Sequence, residues 1–162
     1  MYEEEDFNVE IIDQETIDLY KKVASLIRPT DTVLELNGRD GYFAGNFLAF
    51  CAKDFLCLIG DLENLLNAQQ KYPGIKSKFR KFLKTELTDS GTDYNTVVAL
   101  DMFRDLGLDL WIFRKLKPDT KLIFTLPGRI TSSDIYKRYR NLLDVVKSEK
   151  FNDDWLLYGW KK

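Results

Sequence analysis

Histidine is absent from this 162-residue sequence, and that absence excludes the most. Without imidazole there is no Ser-His-Asp or Cys-His nucleophilic site, and most zinc sites are ruled out. Any chemistry falls to Asp, Glu, Lys, Tyr, backbone amides or a cofactor. Cysteine is scarce. Cys51 and Cys57 are the only two, they flank a helix-to-strand junction, and they lack CxxC spacing. They read as small buried hydrophobes in a reduced cytoplasm, with a redox role second. Neither sign of charge dominates, since 24 Lys and Arg stand against 26 Asp and Glu. Nothing global therefore points to nucleic acid or an anionic membrane. No apolar run approaches the ~18 residues of a membrane span. The opening Met1-Tyr2-Glu3-Glu4-Glu5-Asp6 is acidic, unlike a signal peptide. The expectation is one cytoplasmic domain over 1–162, large enough to bury its own core without a metal.

What the chain does contain is alternation. Ile17, Tyr20, Ala24 and Ile27 recur at helical spacing before Pro29. Thr32-Val33-Leu34-Glu35-Leu36 is a short apolar run that reads as a buried strand. A helix is expected over 42–52, a strand over 55–60, a helix over 62–72 closed by Pro73-Gly74, and a weaker strand over 78–82. Strong strands follow at 96–100 and 122–126, with a helix over 106–116 and a turn at Lys117-Pro118-Asp119-Thr120 between them. Ser132 or Ser133 is the expected cap of a late helix with Ile135, Tyr139, Leu142, Leu143 and Val146 on its apolar face. A last strand is expected over 155–160. Strands separated by helices of about a dozen residues imply parallel pairing through right-handed crossovers. The fold class is therefore α/β, a doubly wound and mostly parallel Rossmann-like sheet in a three-layer sandwich. Ligands of such sheets bind beyond the strand carboxyl ends at the switch point, here between the first and fourth strands.

Four segments resemble the class I S-adenosylmethionine-dependent methyltransferases. Val33-Leu34-Glu35-Leu36-Asn37-Gly38-Arg39-Asp40-Gly41-Tyr42-Phe43 is similar to the glycine-rich first motif. Leu58-Ile59-Gly60-Asp61 is similar to the second strand with its terminal acid, and 95–101 to the fourth strand with an acidic end. Leu116 to Pro127 is similar to the turn into the fifth strand. The resemblance covers 15–127. Asn37 and Arg39 stand where the family usually has glycine, and Asp119-Thr120 where two glycines are usual. After the third strand, where the family often has an acid near the adenine, the chain reads Phe82-Leu83-Lys84-Thr85 with Glu86 the nearest acid. The family commonly closes with a two-stranded hairpin, whereas one clear strand is expected here. Around a cofactor-binding core at 31–127, residues 1–14 read as an extension and 128–162 as a closing helix and strand.

The resemblance implies S-adenosylmethionine as cofactor and assigns roles by position. Glu35 would lie near the cofactor's methionine part, or only cap loop amides. Asn37 is the non-glycine residue that best tolerates the left-handed region, Gly38 supplies an adjacent permissive position, and Gly41 opens a helix at its positive end. Arg39 must point out of the crevice or lie across its mouth. Asp61 is placed to accept both ribose hydroxyls, or to cap the next helix. Asp101, at the tip of the fourth strand, binds cofactor and is the candidate base. Asp105 and Tyr42 are weaker candidates, read as a solvated charge and a packing residue.

Lys76, Lys78, Arg80, Lys81 and Lys84 surround the third strand, where lysines guard a sheet edge. Tyr136-Lys137-Arg138-Tyr139-Arg140 reads as a helix with one core face and one solvated face. Trp155, Tyr158 and Trp160 are expected to pack on the fifth strand. Two functions remain open: methyl transfer to an unidentified acceptor, or a non-catalytic methyltransferase-like module that binds a protein partner or regulates another subunit. A protein partner or a homodimer is open for either. A nicotinamide-dependent oxidoreductase is third, because Gly38 and Gly41 do not give GxGxxG.

Overall fold

A computed structural model describes residues 12–83, 93–104 and 106–162. A side-chain cap opens the first helix. Asp13 accepts the Thr16 amide at 2.8 Å and starts α1 (Gln14–Ser25). β1 (Thr32–Glu35) follows. The helical segment expected over 42–52 forms over 42–51, but Ala44–Leu48 is wound as π-helix before α2 (Ala49–Cys51). Gly45 lies at this widened turn, where a Cβ would stand 2.4 Å from the Tyr72 ring. β2 (Asp54–Ile59), α3 (Leu62–Lys71), a 3-10 segment (Pro73–Lys78), β3 (Phe79–Lys81) and β4 (Thr96–Ala99) come next. They are followed by α4 (Leu108–Lys115), β5 (Lys121–Pro127), α5 (Ser132–Tyr139), β6 (Leu143–Phe151) and β7 (Asp154–Lys161). Among the described residues, no helix is long and apolar enough to cross a membrane.

The seven strands form one sheet in the order β3-β2-β1-β4-β5-β7-β6. β1 to β5 are parallel, and β7 runs antiparallel to both β5 and β6. The strand order reverses between β1 and β4, as expected. Alternate residues serve opposite faces. Leu34, Leu36, Val97, Ala99, Leu122, Phe124 and Leu126 pack toward one side, with Ile112, Phe113 and Tyr139. Val33, Val98, Leu100 and Ile123 pack toward the other, with Val23, Phe43 and Leu65. On that second face the alternation continues into polar residues at the carboxyl ends, where Glu35 follows Val33 and Thr125 follows Ile123. This break in apolar character marks where a site can form.

Two expectations for the carboxyl-terminal part are corrected. The cap of α5 is Thr131, whose hydroxyl accepts the Asp134 amide at 3.2 Å, rather than Ser132 or Ser133. The helix stops at Tyr139, and 143–151 form a strand. Leu142, Leu143 and Val146 do fall at helical spacing, but a lone β7 would leave one edge of its backbone unpaired. β6 supplies the missing partners through a hairpin turning at Asn152, which adopts φ 56°. The chain thus closes with two strands. Trp155, Tyr158 and Trp160 lie on β7 against β5, as expected. β3 is a sheet edge, and Lys78 there pairs with Asp54 at 2.6 Å; Lys84 lies outside the described residues.

Two of the five residues of the late aromatic and basic motif, Arg138 and Tyr139, turn inward. Arg138 donates to both oxygens of the fully buried Asp109 at 2.7 Å, and the Tyr139 hydroxyl donates to it at 2.5 Å. Tyr136 stays exposed. At the amino-terminal end of the sheet, Lys121 is buried and donates to Asp31 at 2.6 Å and to the Leu26 carbonyl at 2.8 Å, tying β5 to the end of α1. Burial pushes the Asp31 carboxyl up, but hydrogen bonds from Lys121 and the Arg28 amide leave it below its ordinary value.

Candidate functional site

The loop after β1 is pinned by its neighbours. Leu36 donates its amide to Val98, Gly38 to Leu58 and Gly41 to Gly38, all at 2.8–2.9 Å. Asn37 reaches across the switch point, its side-chain amide donating to the Leu100 carbonyl at 2.9 Å. The left-handed positions are Arg39 (φ 51°) and Gly41 (φ 82°), so the expectation that Asn37 carries the strained backbone is corrected. Gly38 is needed for closeness rather than for φ. A Cβ there would sit 2.1 Å from the Cys57 sulfur. The loop has therefore kept glycine where β2 presses on it. At Arg39 it accepts a non-glycine residue in the left-handed region, at a cost of about 1 kcal/mol.

Glu35 ends β1 and is 2% exposed. Its one described hydrogen bond comes from the Cys57 thiol at 3.0 Å, and among the described residues no cation pairs with it. Burial pushes its carboxyl up to about 8, against the pull of the Cys57 contact, and nearby Asp40 adds to the rise. Burial and the facing carboxyl also push the Cys57 thiol up. At neutral pH Glu35 is thus a protonated acid. Cys57 is the small buried residue expected, with the further task of contacting this acid.

Asp101 follows β4 in a left-handed conformation (φ 51°). Its amide donates to the Thr125 hydroxyl at 2.7 Å. Its carboxylate bonds to Arg39 from the β1 loop and to Arg104 at 3.0 and 3.1 Å. Arg39 therefore lies across the mouth of the crevice, joining the tips of β1 and β4. The candidate base has both oxygens engaged by guanidinium groups.

These groups line a cleft of about 240 Å³. Glu35, Asn37, Gly38 and Arg39 come from the β1 loop, Leu100, Asp101 and Arg104 from the end of β4, and Thr125 from β5. α1 contributes Asp13, Glu15, Thr16, Leu19 and Tyr20, and the hairpin tip contributes Phe151 to Trp155. The cleft brings together Glu35, Asn37, Gly38 and Asp101 of the expected site residues, and leaves two aside. Gly41 packs against Phe79 and Ala68 behind the loop. Asp61 caps α3, accepting the Asn64 amide at 2.9 Å, and is exposed outside this lining. The surface next to it is open, for a Cβ on Gly60 would meet nothing within 4 Å. Tyr42 packs beside Tyr20 with ring centroids 6.0 Å apart. Asp105, Glu86 and the acidic segment 1–11 lie outside the described residues. The α1 face, Thr125, Arg104 and the hairpin tip were missed. The polar Thr125 inside an otherwise apolar strand was the one available signal.

No family model and no curated protein matches this chain. Solved structures do. It is similar to the N-methyltransferase NodS from Bradyrhizobium japonicum WM9, at 14% identity and TM-score 0.67 over 91% of this chain and 96% of the other. It is similar to the magnesium protoporphyrin IX methyltransferase ChlM from Synechocystis PCC 6803 with bound SAM, at 14% identity and TM-score 0.63 over 91% and 80%. It is also similar to the B. subtilis tRNA methyltransferase TrmK, at 15% identity and TM-score 0.65 over 88% and 64%.

Proposed function

On a fold shared with class I S-adenosylmethionine-dependent methyltransferases, we propose that the chain binds S-adenosylmethionine in the cleft above Glu35 and transfers its methyl group to an acceptor. The observation that carries this reading is Glu35, a buried acid with no paired cation among the described residues, in a cleft on the switch point. The cleft's charge agrees. Asp13, Glu15, Asp101, Asp153 and Asp154 outnumber Arg39 and Arg104, a surplus suited to a sulfonium and an ammonium. When bound, the cofactor supplies a methyl group already activated as a leaving-group sulfonium, so positioning and exclusion of water do most of the work. Glu35 ionises on meeting the ammonium and orients the methionine part. Asn37 and Gly38 offer main chain at the loop. Asp61, with one oxygen occupied by its helix amide, offers the other to the ribose.

Calorimetry with S-adenosylmethionine and S-adenosylhomocysteine tests this. Micromolar binding with proton release near pH 7 is expected, because Glu35 passes from acid to anion; proton release disappears in Glu35→Gln. No heat at millimolar ligand defeats the reading. One observation favours a second reading, a non-catalytic module. Arg39 bridges to Asp101 where the family keeps an unobstructed glycine. That reading expects Arg39→Gly to create binding that the natural chain lacks.

A further inference from the structure

We infer that Arg39 is a cofactor-binding residue, and that its guanidinium holds the carboxylate of the methionine part in the cleft, at a position where the family keeps glycine. The inference rests on the cofactor reading above and deepens it. The methionine part is a zwitterion, with an ammonium and a carboxylate on one carbon. Glu35 answers the ammonium, so the carboxylate needs a cation close to the same point. Among the described residues lining the cleft, the cations are Arg39 and Arg104.

Their hydrogen bonds separate the two. Arg104 meets Asp101 with a fork, donating from Nε to Oδ1 at 3.0 Å and from Nη2 to Oδ2 at 3.1 Å. That side of its guanidinium is already occupied. Arg39 meets the same carboxylate through Nη2 alone, and its Nε and Nη1 make no hydrogen bond among the described residues. It also stands on the loop that carries Glu35. One carboxylate bonded to two guanidiniums leaves this trio with one positive charge in excess, and the open donors are on Arg39. A planar guanidinium matches a carboxylate in a bidentate way.

The backbone points the same way. Arg39 has φ 51°, a conformation that glycine adopts freely and arginine at a cost of about 1 kcal/mol. Its side chain is 52% exposed, and an ion pair so placed contributes about 0–1 kcal/mol. The bridge to Asp101 is therefore a weak reason for the strain, whereas strain of this kind gathers at ligand clamps. Asp101 is bent alike, at φ 51°, with its amide donated to Thr125, so Arg39 is steadied from a fixed point beyond β4. The rest of the lining suits positive groups. Asp13 and Glu15 on α1, and Asp153 and Asp154 at the hairpin tip, make no ion pair among the described residues, with Arg39 or with any other cation. They repel a carboxylate and leave it the β1 loop.

The test compares S-adenosylhomocysteine with its decarboxylated analogue, which keeps the amine, by calorimetry at fixed pH and ionic strength. The natural chain is expected to prefer S-adenosylhomocysteine by about tenfold or more, the effect of hydrogen bonds to a charged group. Arg39→Gln is expected to weaken S-adenosylhomocysteine about tenfold and to leave the analogue within about twofold, so that the preference disappears. Arg39→Gly should lose the preference too, although it relieves the backbone; the non-catalytic reading expects a gain of binding instead. In the natural chain the Arg39 Nε–Hε NMR signal should shift with S-adenosylhomocysteine and stay in place with the analogue. Equal affinity of the natural chain for both ligands overturns the inference and leaves the cofactor reading standing. A preference that survives in Arg39→Gln, or is lost only in Arg104→Gln, does the same. If neither ligand binds, the cofactor reading fails and the inference fails with it.

Discussion

Glu35 and Asp109 are both buried acids, on opposite faces of one sheet, and their surroundings have driven them apart. Asp109 receives two bonds from Arg138, one from Tyr139 and one from the Gly107 amide. Burial alone would raise its carboxyl, but these donors hold it down to about 2. Burial and the carboxylate's charge push the Tyr139 hydroxyl up, so it remains a donor throughout. Glu35 receives one thiol and stays protonated to about 8. Full satisfaction makes Asp109 a fixed strut between α4 and α5. Partial satisfaction leaves Glu35 with acceptor capacity that the described residues do not fill. A buried acid is thus a structural element or a binding element according to how many donors the fold has already aimed at it.

The largest effect expected follows from breaking the satisfied side. Arg138→Ala leaves a buried anion with fewer donors and should cost about 3–5 kcal/mol in urea unfolding. Replacing both partners with apolar residues should cost much less, since the uncompensated charge goes as well. A double variant as unstable as the single would show that packing, rather than charge, dominates.

Next comes the alkaline side. Glu35 ionises near 4.5 when unfolded but near 8 when folded. The unfolded state therefore binds fewer protons between those values, and stability falls as pH rises through that window. The decline is about 3 kcal/mol between pH 5 and 7 at one proton per molecule. Glu35→Gln should flatten it, and equilibrium unfolding across that range reads it directly. The satisfied acid does the reverse at low pH. Its folded value is depressed, so its contribution is complete above about 4 and is lost as pH falls toward 2, at about 2 kcal/mol. Asp109→Asn should remove that part of the acid transition.

Much of this contrast lay within reach of the sequence. The apolar runs at β1, β2, β4 and β5 are short, continuous and bounded by turn residues, and their length and flanks favour buried parallel strands over helix. Glu35 and Asp101 stand out because a charged residue at the end of such a run must face something. The partners were not legible. Arg39 meets Asp101 and Arg138 meets Asp109 across long stretches of chain, and side-chain direction there depends on backbone twist that no local pattern encodes. The carboxyl-terminal hairpin was hidden for a different reason. Leu142, Leu143 and Val146 satisfy helical spacing, yet the lone edge of β7 decides in favour of a strand, and that is a demand of tertiary structure. Asn37 failed as the left-handed residue because propensity ranks what a position tolerates, whereas the pinning amides of Gly38 and Gly41 settled where the bend falls.

Asp61 offers the smallest and most discriminating effect. As the cap of α3, it should lose about 1 kcal/mol on replacement by alanine, whatever else it does. Asparagine caps as well as aspartate, so Asp61→Asn should leave thermal stability close to unchanged while removing the negative charge and one acceptor oxygen. With Oδ1 held by the helix amide, Asp61 has Oδ2 to accept from the ribose diol, and an asparagine that keeps the cap presents a donating NH2 there instead. If Asp61 grips the ribose, S-adenosylhomocysteine affinity should fall about tenfold in Asp61→Asn at constant melting temperature. If Asp61 only caps the helix, alanine should move stability and neither variant should move affinity.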